Sequence, residues 1–244
     1  MVLGNHEGVI RDDDLLCELH AHSRWSDGDL ELSELVDLYG RAGFDVLCVT
    51  DHVIAHDPDH VHAANHAAYL EAIGAEAERA AARYGLLVLP GLELTEDHDD
   101  PRRAAHAVAV GLHRYVGMEH GLDEALREAR AAGAALIAAH PYATRQEGTP
   151  ARATERFSAE PGWTAKVVDR SELFNRWERF SAVGRVSVVA NGDFHRPEHL
   201  SSWKTLLPCP KRERDIVAFL RSTRPARLAP VRRLPQDAMA MTGG

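Results

Sequence analysis

Glu18-Leu19-His20-Ala21-His22-Ser23-Arg24-Trp25-Ser26-Asp27-Gly28 is the stretch from which the rest of the chain is read. It follows Leu15-Leu16-Cys17, an apolar approach expected to form a short buried strand over 15–22. Alternate side chains on a strand share a face, so His20 and His22 are expected to point the same way. Two imidazoles aimed at one point, with the Asp27 carboxylate in a Ser-Asp-Gly turn, suit a divalent metal better than an apolar core. The pair alone is also compatible with two exposed histidines at a strand end. The later strands decide.

Working outward, apolar residues at Leu32, Leu35, Val36, Leu38 and Tyr39 make a helical stripe that stops at Gly43. Phe44 to Thr50 reads as a buried strand whose parity puts Val46, Cys48, Thr50 and His52 on one face. An Ala-rich helix is expected over 61–84, stopped by Gly85. Leu86 to Thr95 is the next strand and carries Glu93, which must be paired or coordinated in so apolar a run. The turn from Glu96 to Arg103 is too short for a helix, so this strand and the next, 104–110 with His106, are expected to be joined directly. A helix over 122–132 and a strand over 134–139 lead to His140-Pro141. Residues 144–165 read as a loop or lid over the mouth. A strand through Ser171–Phe174, a short helix over 176–183, and a strand from Val186 to Asn191 then lead to Gly192-Asp193-Phe194-His195. A closing helix is expected over 211–222, with Pro210 before it.

The bulk properties narrow the classes. The chain has 244 residues, 45% hydrophobic and 27% charged, an ordinary globular balance. We expect a polar lead-in at 1–14, one domain at 15–222, and a solvated Pro- and Arg-rich tail at 223–244. No apolar run is long enough for a membrane span, and the N-terminus lacks the layout of a signal peptide, so a cytoplasmic location is expected. Cys17, Cys48 and Cys209 have no paired spacing, so neither a disulfide framework nor a zinc ribbon is indicated. A formal net charge of −9 argues against bulk binding of nucleic acid. Fifteen histidines are many for this length and point to metal binding at several of them, to a solvated His-rich segment, or to both.

His20, His22, His52, Glu93, His106, His140, Asp193 and His195 all fall at strand ends, with Asp27 in the adjoining loop. Strand C-termini are where barrel enzymes keep their sites. A mixed imidazole and carboxylate set suits Zn, Mn or Fe rather than Mg or Ca.

In these motifs the chain resembles the PHP family, named for its polymerase and histidinol phosphatase members. The matching pieces are Leu19-His20-Ala21-His22-Ser23, Ser26-Asp27-Gly28, Thr50-Asp51-His52, Gly91-Leu92-Glu93, His106 opening an apolar strand, Ala139-His140-Pro141, and Gly192-Asp193-Phe194-His195. They occur in the family's order over about residues 15–200. The last motif reads Asn-Gly-Asp-Phe-His, where many members have Gly-Ser-Asp-Ala-His, and the difference touches no ligand. The resemblance implies an α/β fold, a distorted (β/α)7 TIM-like barrel, with up to three divalent ions. By position, one metal takes His20, His22, Glu93 and Asp193. Glu93 bridges to a second, held by His106 and His140, and the third takes Asp27, His52 and His195. Glu93, Asp193 and His195 are the expected catalytic residues.

Such a cluster lowers the pKa of bound water and neutralises charge on a phosphoryl group, so the expected reaction is hydrolysis of a small phosphorylated substrate by a metal-bound hydroxide. Cations at the mouth would take the remaining phosphate oxygens. Arg145 and Arg196 follow ligand motifs closely, and Lys204 lies beside Trp203; these three are the expected substrate contacts, with Arg24 a further candidate. Two other readings stand beside this one. An amidohydrolase-type barrel also opens with His-x-His, and a noncatalytic metal-binding module could assist a partner.

Overall fold

The computed structural model describes residues 13–141 and 154–232 of the chain. Its strands are β1 (Leu15–Glu18), β2 (Val46–Val49), β3 (His52–Ile54), β4 (Leu87–Glu96), β5 (Ala105–Val110), β6 (Ala135–Ala139), β7 (Arg170–Asn175), β8 (Glu178–Arg179), β9 (Ser187–Asn191), β10 (Trp203–Leu207) and β11 (Arg227–Pro230). The helices are α1 (Leu32–Arg41), α2 (His66–Tyr84), α3 (Leu122–Ala131), α4 (Arg156–Ala159), α5 (Pro161–Val167) and α6 (Glu213–Leu220). No helix among the described residues is long and apolar enough to cross a membrane.

The strands form one sheet in the order β11-β10-β1-β2-β4-β5-β6-β7-β8, with β3 also on β4 and β9 also on β7. Neighbours β1, β2 and β4 run parallel, as do β6, β7 and β9. β5 runs antiparallel between β4 and β6. The short charged turn after β4 leaves no room for a crossover, so the chain doubles straight back, as expected. Beyond the ends of β1 and β9, Ala21 bridges Phe194. Here the His22 N–H donates to the Phe194 carbonyl at 2.8 Å and the Phe194 N–H to the His20 carbonyl at 3.2 Å.

Strand alternation divides the core in two. Cys17, Val46, Cys48, Leu89, Val108, Val110 and Ile137 pack with Ile216, Phe219 and Leu220 of α6 on one face. Leu47, Val49, Val88, Leu92 and Leu136 pack on the other, with Leu35, Val36 and Tyr39 of α1, Tyr69 and Ile73 of α2, and Leu122 and Leu126 of α3. Each fully buried aliphatic side chain is worth about 1.5–3 kcal/mol. A Glu31/Glu34 capping box starts α1, and Gly85, at φ 65°, ends α2 as its spacing requires.

Four expectations of local structure change. The helix expected at 61–84 begins only at His66. The helix expected at 176–183 is a hairpin: Arg176 takes a left-handed φ of 54°, and Glu178–Arg179 pairs back onto β7. The tail from Thr223 is not wholly solvated, because Arg227–Pro230 adds a strand to β10 with Leu228 and Ala229 buried. Of the loop or lid expected at 144–165, the described part, 154–165, is largely the short helix α4 and most of α5.

Candidate metal centre

Glu93 stands at the centre of the site, on β4, with its side chain fully buried. Its Oε2 lies 3.2 Å from His20 Nε2, 3.3 Å from His22 Nε2 and 3.0 Å from His52 Nδ1. Its Oε1 lies 3.3 Å from both His106 Nδ1 and His140 Nε2. One carboxylate therefore faces five imidazoles. Register explains two of the five, since His52 pairs with Glu93 across β3 and β4, and His106 pairs with Thr95 and Ala139 across β4, β5 and β6. His106 opens its strand instead of closing it, yet β5 is antiparallel, so its first turn of chain reaches the rim where the parallel strands end.

A second carboxylate enters from the chain after β9. Asp193 Oδ1 lies 3.5 Å from His20 Nε2, 3.5 Å from His22 Nε2 and 3.3 Å from His195 Nδ1. Asp27 closes the outer side, 3.2 Å from His195 Nε2, 3.6 Å from His52 Nε2 and 3.8 Å from His22 Nδ1. Three sets of donor atoms each fall within 4.8 Å of one another: His22, Asp27, His52 and His195; His20, Glu93 and His140; and His20, His22 and Asp193. All nine residues expected to be ligands converge on this centre. The first of these sets adds His22 to the expected trio of Asp27, His52 and His195, and His106 reaches the centre only through Glu93.

The backbone is bent to achieve this. His140 and Asp193 have φ of 26° and 45°, a left-handed region that non-glycine residues enter at a cost of about 1–3 kcal/mol. Ser23 and Ser26 hydroxyls and the Ser23 N–H all donate to Asp51, at 2.7–2.9 Å, and fold the 23–28 loop over His22. Gly28 is needed there, because a Cβ would lie 2.5 Å from the His22 carbonyl oxygen.

Most of the histidines are held from behind. His20 Nδ1 contacts Glu172 at 3.0 Å, His52 Nδ1 the Thr95 hydroxyl at 2.7 Å, and His106 Nε2 Asp97 at 3.2 Å. His140 Nδ1 meets the Thr154 hydroxyl at 3.3 Å, and His195 Nδ1 the Asp193 carbonyl at 3.0 Å. Such outer contacts fix ring orientation and tautomer at metal sites. His22 has both ring nitrogens inside the site. Buried polar atoms without a hydrogen-bond partner include His20 Nε2, both nitrogens of His22, both oxygens of Glu93 and His106 Nδ1. Buried polar groups are normally satisfied, so this many unpartnered donors aimed at one centre fit the coordination of a divalent cation.

Sequence reasoning missed Glu172. It is buried on β7 and accepts from Asn175 and Asn191 side chains at 2.9 Å and from the His140 N–H at 2.8 Å, besides meeting His20. Its flanking sequence, Asp169-Arg170-Ser171, is polar, so no mismatch of the Glu93 kind marked it. Glu172→Gln is expected to weaken metal affinity by about 10–100-fold, measured by titration against a chelating indicator. Unchanged affinity would make Glu172 a packing residue only.

The donors also act on one another electrostatically. Burial favours neutral His22, but contacts with Asp193 and Glu93 outweigh it and raise the ring to about 9. His106 is likewise raised to about 9 against burial, by Asp97 and Glu93. His20 is held well above the usual imidazole range, since Glu93, Asp193 and Glu172 overcome its burial. Burial dominates at His52 and lowers it to about 3. Glu93 and Asp193 lie well below the carboxylate range despite burial, because His20 and other rings face them.

The expected substrate contacts fare unevenly. Arg145 lies outside the described residues. Arg196 follows His195, but its side chain is exposed and its Nε lies 3.7 Å from Glu198. Arg24 is turned to Asp29 and Glu31. Lys204 is not at the mouth: it is fully buried on β10, and its ammonium donates to Glu18 and, at 2.7 Å, to the Ser202 hydroxyl. Glu18 in turn accepts from Tyr39 at 3.0 Å and from the Gly192 N–H at 2.9 Å. Gly192 is packed against this pair so closely that a Cβ would strike Lys204 Nζ and lie 2.5 Å from Glu18 Oε2. Lys204 thus supports the turn before Asp193. Lys204→Met strands a buried carboxylate and is expected to destabilise the fold by about 3–5 kcal/mol in denaturant unfolding. A change below about 1 kcal/mol would show that Glu18 is relieved in another way.

No family model matches the sequence, and no curated protein matches it. Solved structures share the fold. One is a two-domain protein containing a predicted PHP-like metal-dependent phosphoesterase from Bacteroides vulgatus, with TM-score 0.67 and 21% identity over 91% of this chain and 67% of that one. Another is an amidohydrolase from Chromobacterium violaceum with bound sulfate, with TM-score 0.51 and 17% identity over 88% of this chain and 97% of that one. A third is Endonuclease Q in complex with duplex DNA bearing an abasic lesion, with TM-score 0.52 and 11% identity over 88% of this chain and 58% of that one. The chain therefore has a fold used by PHP-like phosphoesterases, and its His, Asp and Glu clusters are candidate metal sites.

Proposed function

We propose that this chain is a PHP-type, metal-dependent phosphoesterase that hydrolyses a small phosphorylated substrate. The observation that carries the reading is the orphaned, buried donor set around Glu93. In this reading β1, β2, β4, β5, β6, β7 and β9 would form a distorted seven-stranded ring with the site at its rim, and the Ala21–Phe194 bridge supports closure between the first and last of them. His20, His22, Glu93 and Asp193 would hold one ion, Glu93 with His106 and His140 a second, and Asp27, His52 and His195 a third. Divalent Zn, Mn or Fe ions there would supply a water acidic enough to ionise near neutral pH and positive charge against the phosphoryl oxygens. The chain's own part is to fix this geometry. Glu172, Thr95, Asp97 and Thr154 aim the rings, while Asp51 holds the loop that carries Asp27 near the mouth.

A net charge of −9 favours a small substrate over duplex DNA, although one structure of this fold is an endonuclease. The amidohydrolase neighbour keeps a second reading, hydrolysis of an amide or lactone. Purified protein loaded with Mn or Zn, offered a phosphomonoester, a phosphodiester and an amide in parallel, decides. Release of phosphate or alcohol from an ester is expected, with the amide inert. Amide turnover without ester cleavage would replace this reading by the second.

A further inference from the structure

A phosphate on such a centre keeps oxygens facing away from the metals, and they need a cation at the rim. The described arginines and lysines near the mouth are mostly engaged elsewhere. Lys204 is buried against Glu18, Arg24 faces Glu31, and Arg156 is tied to Glu96 and Asp123 and stacked over Trp163. Arg176 is different. It follows β7 directly, and its Nη2 lies 3.1 Å from the Asp193 carbonyl, 3.3 Å from Asp193 Oδ2 and 3.4 Å from His195 Nδ1. Asp193 is thus divided, with Oδ1 towards His20 and His22 and Oδ2 towards the arginine.

Building on the phosphoesterase reading, we propose that Arg176 is the residue that grips the substrate's phosphoryl group. Three observations support it. A guanidinium has five N–H donors, and the described contacts all use Nη2, which leaves the two N–H groups of Nη1 without a described partner. The side chain is 40% exposed, so its remaining edge opens to incoming ligand beside a carboxylate only 12% exposed. The backbone is held in place for this, at φ 54°, by its N–H to the Asn191 carbonyl at 2.9 Å and by the Trp203 N–H to its own carbonyl at 3.1 Å. Strained residues persist where the surroundings over-determine them, commonly at ligand sites. A guanidinium also presents planar N–H donors that match phosphate oxygens better than an ammonium does.

The test compares wild type with Arg176→Met and Arg176→Lys in the full, Mn-loaded protein. Bound metal, calorimetric affinity for inorganic phosphate, and kcat/KM for a phosphomonoester are measured on each. We expect full metal content, phosphate affinity and kcat/KM both lowered at least ten-fold in Arg176→Met, and an intermediate value in Arg176→Lys, which keeps charge without the fork. Unchanged phosphate affinity in Arg176→Met overturns the proposal. So does equal loss of metal from both variants, the result for a side chain that only braces Asp193. Wild type that binds phosphate but cleaves no ester defeats the phosphoesterase reading alone, and the phosphate affinities still decide on Arg176. Wild type that binds no phosphate defeats both.

Discussion

Glu93→Gln is expected to lower kcat/KM for ester hydrolysis by about a thousand-fold, or ~4 kcal/mol, and to reduce bound metal at the same time. The substitution keeps the shape of the side chain and removes one negative charge. That charge faces His20, His22, His52, His106 and His140 within 3.3 Å and is fully buried, so water cannot replace it. An amide also turns an N–H₂ towards rings that offer lone pairs to a metal. Elemental analysis and steady-state kinetics on the same preparation check both parts. A variant with full metal and full activity would end the proposed role of Glu93.

Removal of metal is expected to abolish activity, and Mn or Zn to restore it, with a defined pH dependence. His22 and His106 are raised to about 9 without a cation, and His20 is raised too, so near pH 7 these rings carry protons that a metal must displace. Metal affinity should therefore climb as pH rises towards 9, with protons released on binding, measurable by calorimetry in buffers of different ionisation enthalpy. Stability of the metal-free protein follows the opposite sense. A pKa raised in the folded state gives stability that is complete below about 6.5 and is lost as pH rises through about 9. The depressed Glu93 and Asp193 contribute above their usual carboxylate range and lose that contribution as pH falls. Metal-free protein should thus unfold more readily at pH 9.5 than at pH 7, and metal should flatten the difference. An affinity independent of pH from 6 to 9 would contradict this electrostatic picture.

Most of the candidate ligands were legible because they are ill-fitting polar residues at one end of an apolar run, a mismatch visible without coordinates, while Asp27 was read from its nearness to His22. What stayed hidden lacked that contrast. β10 contains Lys204 and Thr205, both buried, since Lys204 serves Glu18 and the Thr205 hydroxyl donates to the Ala190 carbonyl at 2.7 Å. Its alternation therefore reads as surface. β11 lies among prolines and arginines, and only pairing with β10 makes it a strand. The hairpin after β7 stands where a short helix was expected, because the left-handed turn at Arg176 carries no glycine to announce it. Arg176 was overlooked with it.

The Ala21–Phe194 bridge has a consequence for assembly. Glu93, His106 and His140 lie on neighbouring strands from one stretch of chain, so their meeting closes short loops. His20 and His22 reach Asp193 and His195 only when the two ends of the domain meet, a far longer closure that follows local contacts in time. An ion bound by His20, His22 and Asp193 would act as a clasp across that seam. It should slow hydrogen exchange at the His22 and Phe194 amides, which cross the seam, more than at the β4–β5 amides, which do not. The first strand of this chain would then be fastened to the last of the ring by its ligand.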